Sequence, residues 1–208
     1  PVLSPFLVDP LIIDLDSNGL SLISLSEASE NNISFEMFPG GEKVTTSWID
    51  KNDNQALIVL NDTSNDSDNG VISIESIREI FSEYFQSKNN LRTFNSGTSA
   101  LSSLDSNKDN KINKSDEEWE SILLWFDDGD AISQSSELKP ISDYVESIDL
   151  ASLETIRFVP TWSKGNSILR KVDATFGENI YEIYDVGLNV SGSSQTNLKL
   201  DIQSSNNT

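Results

Sequence analysis

Residues Asp105–Asp116 read Asp-Ser-Asn-Lys-Asp-Asn-Lys-Ile-Asn-Lys-Ser-Asp, and this stretch sets the expectation for the whole chain. Asp105, Asn107 and Asp109 stand at positions 1, 3 and 5 of a loop, Lys111 at 7 offers its carbonyl, Asn113 stands at 9 and Asp116 closes at 12. That is the spacing of an EF-hand loop, with Ile112 at the apolar position 8. A hard cation needs six or more oxygens at about 2.3–2.6 Å, so alternate side chains turn their oxygens inward. Two positions depart from the pattern. Asn110 replaces glycine but tolerates a left-handed turn. Asp116 replaces glutamate and is one methylene shorter, which brings Mg²⁺ closer to Ca²⁺ as an occupant. The same residues also read as a polar turn before a helix capped by Ser115 or Asp116; the completeness of the pattern favours metal.

Three other acidic stretches echo this one. Asp14, Asp16, Asn18 and Gly19 form half a calcium loop, but Leu25 stands where the closing acid belongs, so that ligand must come from elsewhere. Asp62, Asp66 and Asp68 carry the acids without clean spacing, and a solvated loop explains them equally well. Asp127, Asp128 and Asp130 lead to Glu137, one residue short of a full loop. Residues 115–125, with Trp119, Ile122, Leu123 and Phe126 on one side, predict a helix shared by the Asp105 and Asp127 loops. Residues 73–85 predict another helix, with Ile74, Ile77, Ile80, Phe81 and Tyr84 on its apolar face. Residues 99–104 predict the helix entering the Asp105 loop. Strands are expected at 10–16, 20–25, 33–38, 43–48, 56–60, 147–150, 155–160, 167–173, 180–190 and 198–202. The fold expected is therefore α+β: small antiparallel sheets around a fused EF-hand-like helix-loop-helix pair, with a β-rich C-terminal part. Residues 1–9 read as an upstream leader, 10–203 as a single module and 204–208 as a disordered tail.

Composition narrows the function. The 208 residues carry 34 acidic against 14 basic side chains, a net charge of −20, which argues against nucleic acid and anionic membranes as partners. Bound cations would relieve the self-repulsion. With neither Cys nor His, thiol nucleophiles, imidazole bases and the ordinary zinc site are excluded. No apolar run is long enough to span a bilayer, so direct membrane insertion is not expected. No signal peptide is seen, and a chain that starts at Pro1 reads as a piece of something larger.

The order of the pieces carries a resemblance. Asp9-Pro10-Leu-Ile-Ile-Asp14-Leu-Asp16-Ser-Asn18-Gly19 resembles the DPLxLDLDGDG opening of the self-processing modules of RTX proteins. Ser47-Trp48-Ile49, Leu57–Leu60, Glu79-Ile80-Phe81, Gly97–Lys111, Trp125–Leu138, Ser147–Leu150, Gly165-Asn166 and Tyr184-Asp185-Val186 are similar, in order, to later markers of that family. The resemblance spans about residues 9–190. It implies that calcium folds the module, that the Asp9–Pro10 bond then breaks, and that the freed Asp9 carboxyl passes to a lysine amine of the same or another protein as an isopeptide crosslink. It also implies a large parent, a toxin or adhesin secreted by type I machinery and found outside the cell or on the bacterial surface.

The chemistry suits Asp9 and Pro10. The Asp9 side-chain carboxyl can reach its own carbonyl carbon and close a five-membered cyclic anhydride, an intramolecular attack with a large effective molarity. The proline nitrogen belongs to a tertiary amide, which twists and leaves more readily than a secondary one. Nothing in the sequence identifies the proton donor; without His it must be a carboxylic acid or water. The competing expectation is a chemically silent, calcium-stiffened structural module of a bacterial surface adhesin.

Overall fold

In the computed structural model, residues 6–61, 72–87, 93–156 and 163–191 are described below. The amino-terminal half contains β1 (Phe6–Val8), β2 (Leu11–Asp14), β3 (Leu22–Ile23), α1 (Leu25–Glu30), β4 (Ser34–Phe35), β5 (Val44–Thr45), β6 (Trp48–Ile49) and β7 (Gln55–Leu60). Then follow α2 (Gly97–Ser102), β8 (Lys111–Asn113), β9 (Ile122–Trp125), β10 (Leu138–Pro140), β11 (Ser147–Thr155), β12 (Ser167–Phe176) and β13 (Asn179–Val190). Nine strands form one curled antiparallel sheet in the order β10-β9-β7-β2-β13-β12-β11-β8, with β1 also on β13. β3 with β6 and β4 with β5 make two small ribbons.

The central strands are buried on both faces. From β2, Leu11 and Ile13 enter one core and Ile12 the other. From β7, Ala56, Ile58 and Leu60 point one way, and Leu57 and Val59 the other. β9 divides likewise, Ile122 and Leu124 against Leu123 and Trp125. Strands covered on both sides read as continuous apolar runs rather than alternating ones. One core is centred on an aromatic trio: Trp48 lies 5.3 Å from Phe35 and 5.7 Å, edge to face, from Trp125. The other holds the stacked pair Phe81 and Phe85 at 4.3 Å.

This arrangement corrects the expected α+β fold. Among the described residues there is no fused EF-hand-like helix-loop-helix pair, and they are mostly β. Residues 115–125 form a turn, a short 3-10 piece at Trp119–Ser121 and then β9, which pairs with both β7 and β10. The i, i+3, i+4 spacing of Trp119, Ile122 and Leu123 matched a helix because a doubly buried strand is apolar at every position, and so fits any period. The Asp105 loop is still followed at position 8 by strand pairing, but Ile112 of β8 pairs with Ile148 of β11, not with a second loop of its kind. Residues 73–85 likewise are not a helix. Ile74, Ile77, Ile80 and Phe81 are buried as expected, but on irregular chain with a single 3-10 turn at Ile77–Glu79. α1, for which no helix is expected and which starts at the last residue of the strand expected at 20–25, is fixed by a capping box: Ser24 Oγ accepts the Glu27 N–H and Glu27 accepts the Ser24 N–H. The predicted strand at 198–202 and the tail beyond it lie outside the described residues.

Leu124 is wholly buried in the centre of the corrected strand. Leu124→Ala is expected to cost about 2–5 kcal/mol, measured by urea unfolding, whereas Glu120→Ala on the exposed turn before it is expected to change stability by less than about 0.5 kcal/mol.

Candidate carboxyl site at Asp9–Pro10

β1 and β2 are two halves of one line of chain. Val8 pairs with Leu188 and Leu11 with Asp185, so the same register on β13 continues across the gap and sets Asp9 opposite Gly187 and Pro10 opposite Val186. Proline has no N–H to give, and the ladder is interrupted where it stands. The backbone around the gap is held from several sides. The Asp9 N–H donates to Glu83 Oε2 at 3.0 Å, Val186 N–H to the Pro10 carbonyl at 3.0 Å, and Leu11 N–H to the Phe81 carbonyl at 2.9 Å. Gly97, the first residue of α2, presses on the same spot. A Cβ there would stand 2.8 Å from both the Asp9 and Phe81 carbonyl oxygens and 2.9 Å from Leu11 Cγ, so only glycine fits without displacement.

Three carboxyl groups meet at this gap. Asp9 is 8% exposed and Asp185 is fully buried. Asp9 Oδ1 accepts the Glu83 N–H at 3.1 Å. Asp185 Oδ2 accepts from Arg170 Nη1 at 3.1 Å and from Thr98 Oγ1 at 3.3 Å. Its Oδ1 is buried and has no donor while Asp9 is ionised. Burial first, then the neighbouring Glu83 and Asp185 carboxyls, push the Asp9 carboxyl up to about 10, so it is neutral at pH 7. Burial also raises Asp185, while Arg170, Asp9 and Thr98 pull it back. The Asp9 carboxyl lies within hydrogen-bonding reach of both the Glu83 and the Asp185 carboxyls, and leaving Asp185 Oδ1 unmet in the dry interior would be costly.

Of the expected site residues, Asp9 and Pro10 therefore occupy a built environment. Glu83, Gly97, Thr98, Arg170 and Asp185 were not singled out from the sequence as parts of it. Asp185 carried a signal: it is the acid in Tyr184-Asp-Val-Gly-Leu188, where every neighbour is buried.

The expected metal ligands fall in three separate places. Asp14 Oδ1 accepts the N–H of Ser17 at 2.8 Å and Oδ2 that of Gly19 at 2.8 Å, a turn made possible by positive φ at Ser17 and Gly19. Asp16 and Asn18 flank it, and Asn18 reaches Asp53 of the β6–β7 loop at 3.4 Å. In the Asp105 loop, Lys108 and Asn110 take positive φ, as the motif requires at its turn. Asp105 accepts the N–H groups of Asp109 and Asn110, Asn107 accepts Asp109 and Asp109 accepts Lys111. Asp116 closes back on Ser106 at 2.9 Å and on Asn113 at 3.0 Å. In the third loop, Glu137 accepts from Asp128, Gln134 and the Trp125 indole. Asp130 caps Ile132, and Asp127 accepts Gly129 at 2.7 Å but leaves Oδ2 buried without a donor. These oxygens fit a hard divalent cation in kind, and the buried, unpartnered Asp127 Oδ2 is an atom such an ion would satisfy. Among the described residues, no three acidic side chains are gathered around one point as a finished metal site. Asp66 and Asp68 lie outside the described residues.

The sign of the Asp9 effect is testable. Its folded-state value stands far above the ordinary 3.8, so between about pH 4 and 10 the folded chain holds a proton that the unfolded chain lacks. This contribution to stability is complete at low pH and declines as pH rises through that window. Urea unfolding in EDTA should therefore show stability falling with pH more steeply in the wild type than in Asp9→Asn.

No curated protein matches the chain. The model of the SPM domain family matches residues 11–189, from the residue after Pro10 to the last turn of register on β13, and the chain belongs to the SPM domain family.

Proposed function

We propose that this chain cuts its own Asp9–Pro10 peptide bond, with calcium as trigger, and that the freed Asp9 acyl group passes to water or to a lysine amine of the same or another protein. The observation that carries it is the Asp9 carboxyl buried beside Glu83 and Asp185, with the backbone on either side of Pro10 hydrogen bonded. Asp9 attacks its own carbonyl carbon, a C–O bond closes the five-membered anhydride, and the C–N bond to Pro10 breaks. A held backbone limits the conformations the carboxyl must search before attack. Burial favours the uncharged carboxylic acid, so the proton that the leaving nitrogen requires is already in the site.

Calcium, when bound at the acidic loops, supplies positive charge that offsets the repulsion among carboxylates and fixes the loops. The Asp105 loop is well placed to report to the cut. α2 is six residues long; its first residue touches the Asp9 carbonyl, its second holds Asp185, and its end leads into Asp105. Ordering that loop sets the position of α2, and with it the walls of the Asp9 site. The setting that goes with this activity is a large secreted or surface-anchored RTX-type protein.

Intact mass and N-terminal sequencing after incubation in millimolar calcium test the proposal. A fragment beginning at Pro10 is expected, with none from Asp9→Asn and slower release from Pro10→Ala, whose secondary amide resists twisting. An uncut wild-type chain at saturating calcium would overturn it in favour of a silent, calcium-stiffened module. Gly97→Ala is expected to cost about 1–3 kcal/mol by overpacking and to slow the cut, read from urea unfolding and from the rate of Pro10 fragment release.

A further inference from the structure

We propose that Asp185 is the catalytic base and acid of this cleavage: its Oδ1 takes the proton of the Asp9 carboxyl and hands it to the nitrogen of Pro10. The assignment rests on the cleavage of Asp9–Pro10 proposed above and names the proton carrier within it.

Four observations converge on Asp185. It is fully buried, so no bulk water reaches it to compete for the proton. Its Oδ2 is committed, to Arg170 at 3.1 Å and Thr98 at 3.3 Å, which fixes the carboxylate plane. Its Oδ1 has no donor, and the carboxyl group as a whole is within hydrogen-bonding reach of Asp9. It sits in register opposite Leu11, and the next residue, Val186, donates its N–H to the Pro10 carbonyl, so this stretch of β13 runs alongside the bond that breaks. Glu83 also hydrogen bonds the Asp9 carboxyl, but its Oε2 is already an acceptor for the Asp9 N–H and it is partly exposed to water.

The proton count closes. The Asp9 carboxylic acid gives its proton to Asp185 Oδ1. The resulting Asp9 carboxylate oxygen bonds to the Asp9 carbonyl carbon. As that carbon expels its nitrogen, the C–N electron pair stays on Pro10 and takes the proton back from Asp185. The products are an aspartic anhydride at residue 9, a secondary amine at Pro10 and an ionised Asp185, as at the start. Water or an amine then opens the anhydride. Arg170 and Thr98 hold Asp185 Oδ2 and so orient its Oδ1; they are positioning residues.

Asp185→Asn removes the acceptor while keeping the shape. Full-length wild type and variant are incubated with calcium, and the Pro10 fragment is followed by mass against time. The wild type is expected to cut and Asp185→Asn to cut about 100-fold more slowly or worse, the scale on which general acid–base groups act. Wild-type cutting with the variant within about threefold would overturn the role of Asp185 and leave the cleavage site standing. No cutting by the wild type would overturn both. Thr98→Val provides a reading that does not depend on Asp185→Asn folding. The charged and titratable groups facing Asp185 and Asp9 are Arg170 on β12, and Glu83 and Tyr84 on the 82–87 segment. Losing the Thr98 hydroxyl frees one hold on Asp185 Oδ2 while its backbone N–H and Arg170 stay, so slower release of the Pro10 fragment at unchanged stability is expected, and an unchanged rate would contradict the positioning of Asp185.

Discussion

A carboxylic acid confined in a dry seam of a β-sheet is the constraint on which the rest of this molecule depends. Asp9 stands where a central strand passes over a proline, and its carboxyl faces two others, Glu83 and Asp185. Two carboxylates in contact inside protein repel strongly, and one of them keeps its proton. Arg170 and Thr98 bear on which, by bonding Asp185 Oδ2 and favouring the charge there against its burial. Everything around the pair is sheet or core: β13 on one side, the Phe81–Phe85 segment on another, and the start of α2 pressed close through Gly97.

The surrounding polar network serves the same end. Ser47 Oγ donates to Asn166 Oδ1 at 2.5 Å, and Asn189 N–H donates to Ser47 Oγ at 2.7 Å. Through these bonds the loop before β12 and the turn before β6 are tied to the end of β13, the strand that carries both Asp185 and the register opposite Asp9. Farther along the sheet Lys171 pairs with Glu182, whose carboxylate also accepts the Tyr184 hydroxyl. Partly exposed pairs of this kind add little to stability. The buried cores on the two faces of the sheet supply most of it.

Much of the sheet was legible from the residues. The runs at β2, β7, β12 and β13 are rich in Ile, Val and Leu and bounded by turn residues, and they are strands. β9 was not legible, because Ile122-Leu-Leu-Trp125 is apolar throughout and periodicity is silent when both faces are buried. α1 could have been found from Ser24 and Glu27, a capping-box pair. Asp9 and Pro10 were visible as chemistry, whereas their partners were not. Glu83 and Asp185 lie 74 and 176 residues away in the chain, and only the register of β13 brings Asp185 to the gap. The Asp105 loop shows the converse: its spacing is evident in the sequence and Asn110 takes the left-handed turn, but Ile112 pairs with Ile148 of β11 rather than with a second loop of its kind.

The protonation of Asp9 is the point on which the account turns, and it can be observed directly. A carbon-13 titration of the side-chain carboxyls by NMR, on the calcium-free chain with Asp9 assigned through Asp9→Asn, reports its state. A neutral carboxyl at pH 7 that ionises only toward pH 10 is the result this account predicts. A carboxyl already ionised at pH 7, with a midpoint near the ordinary value of about 4, would contradict it.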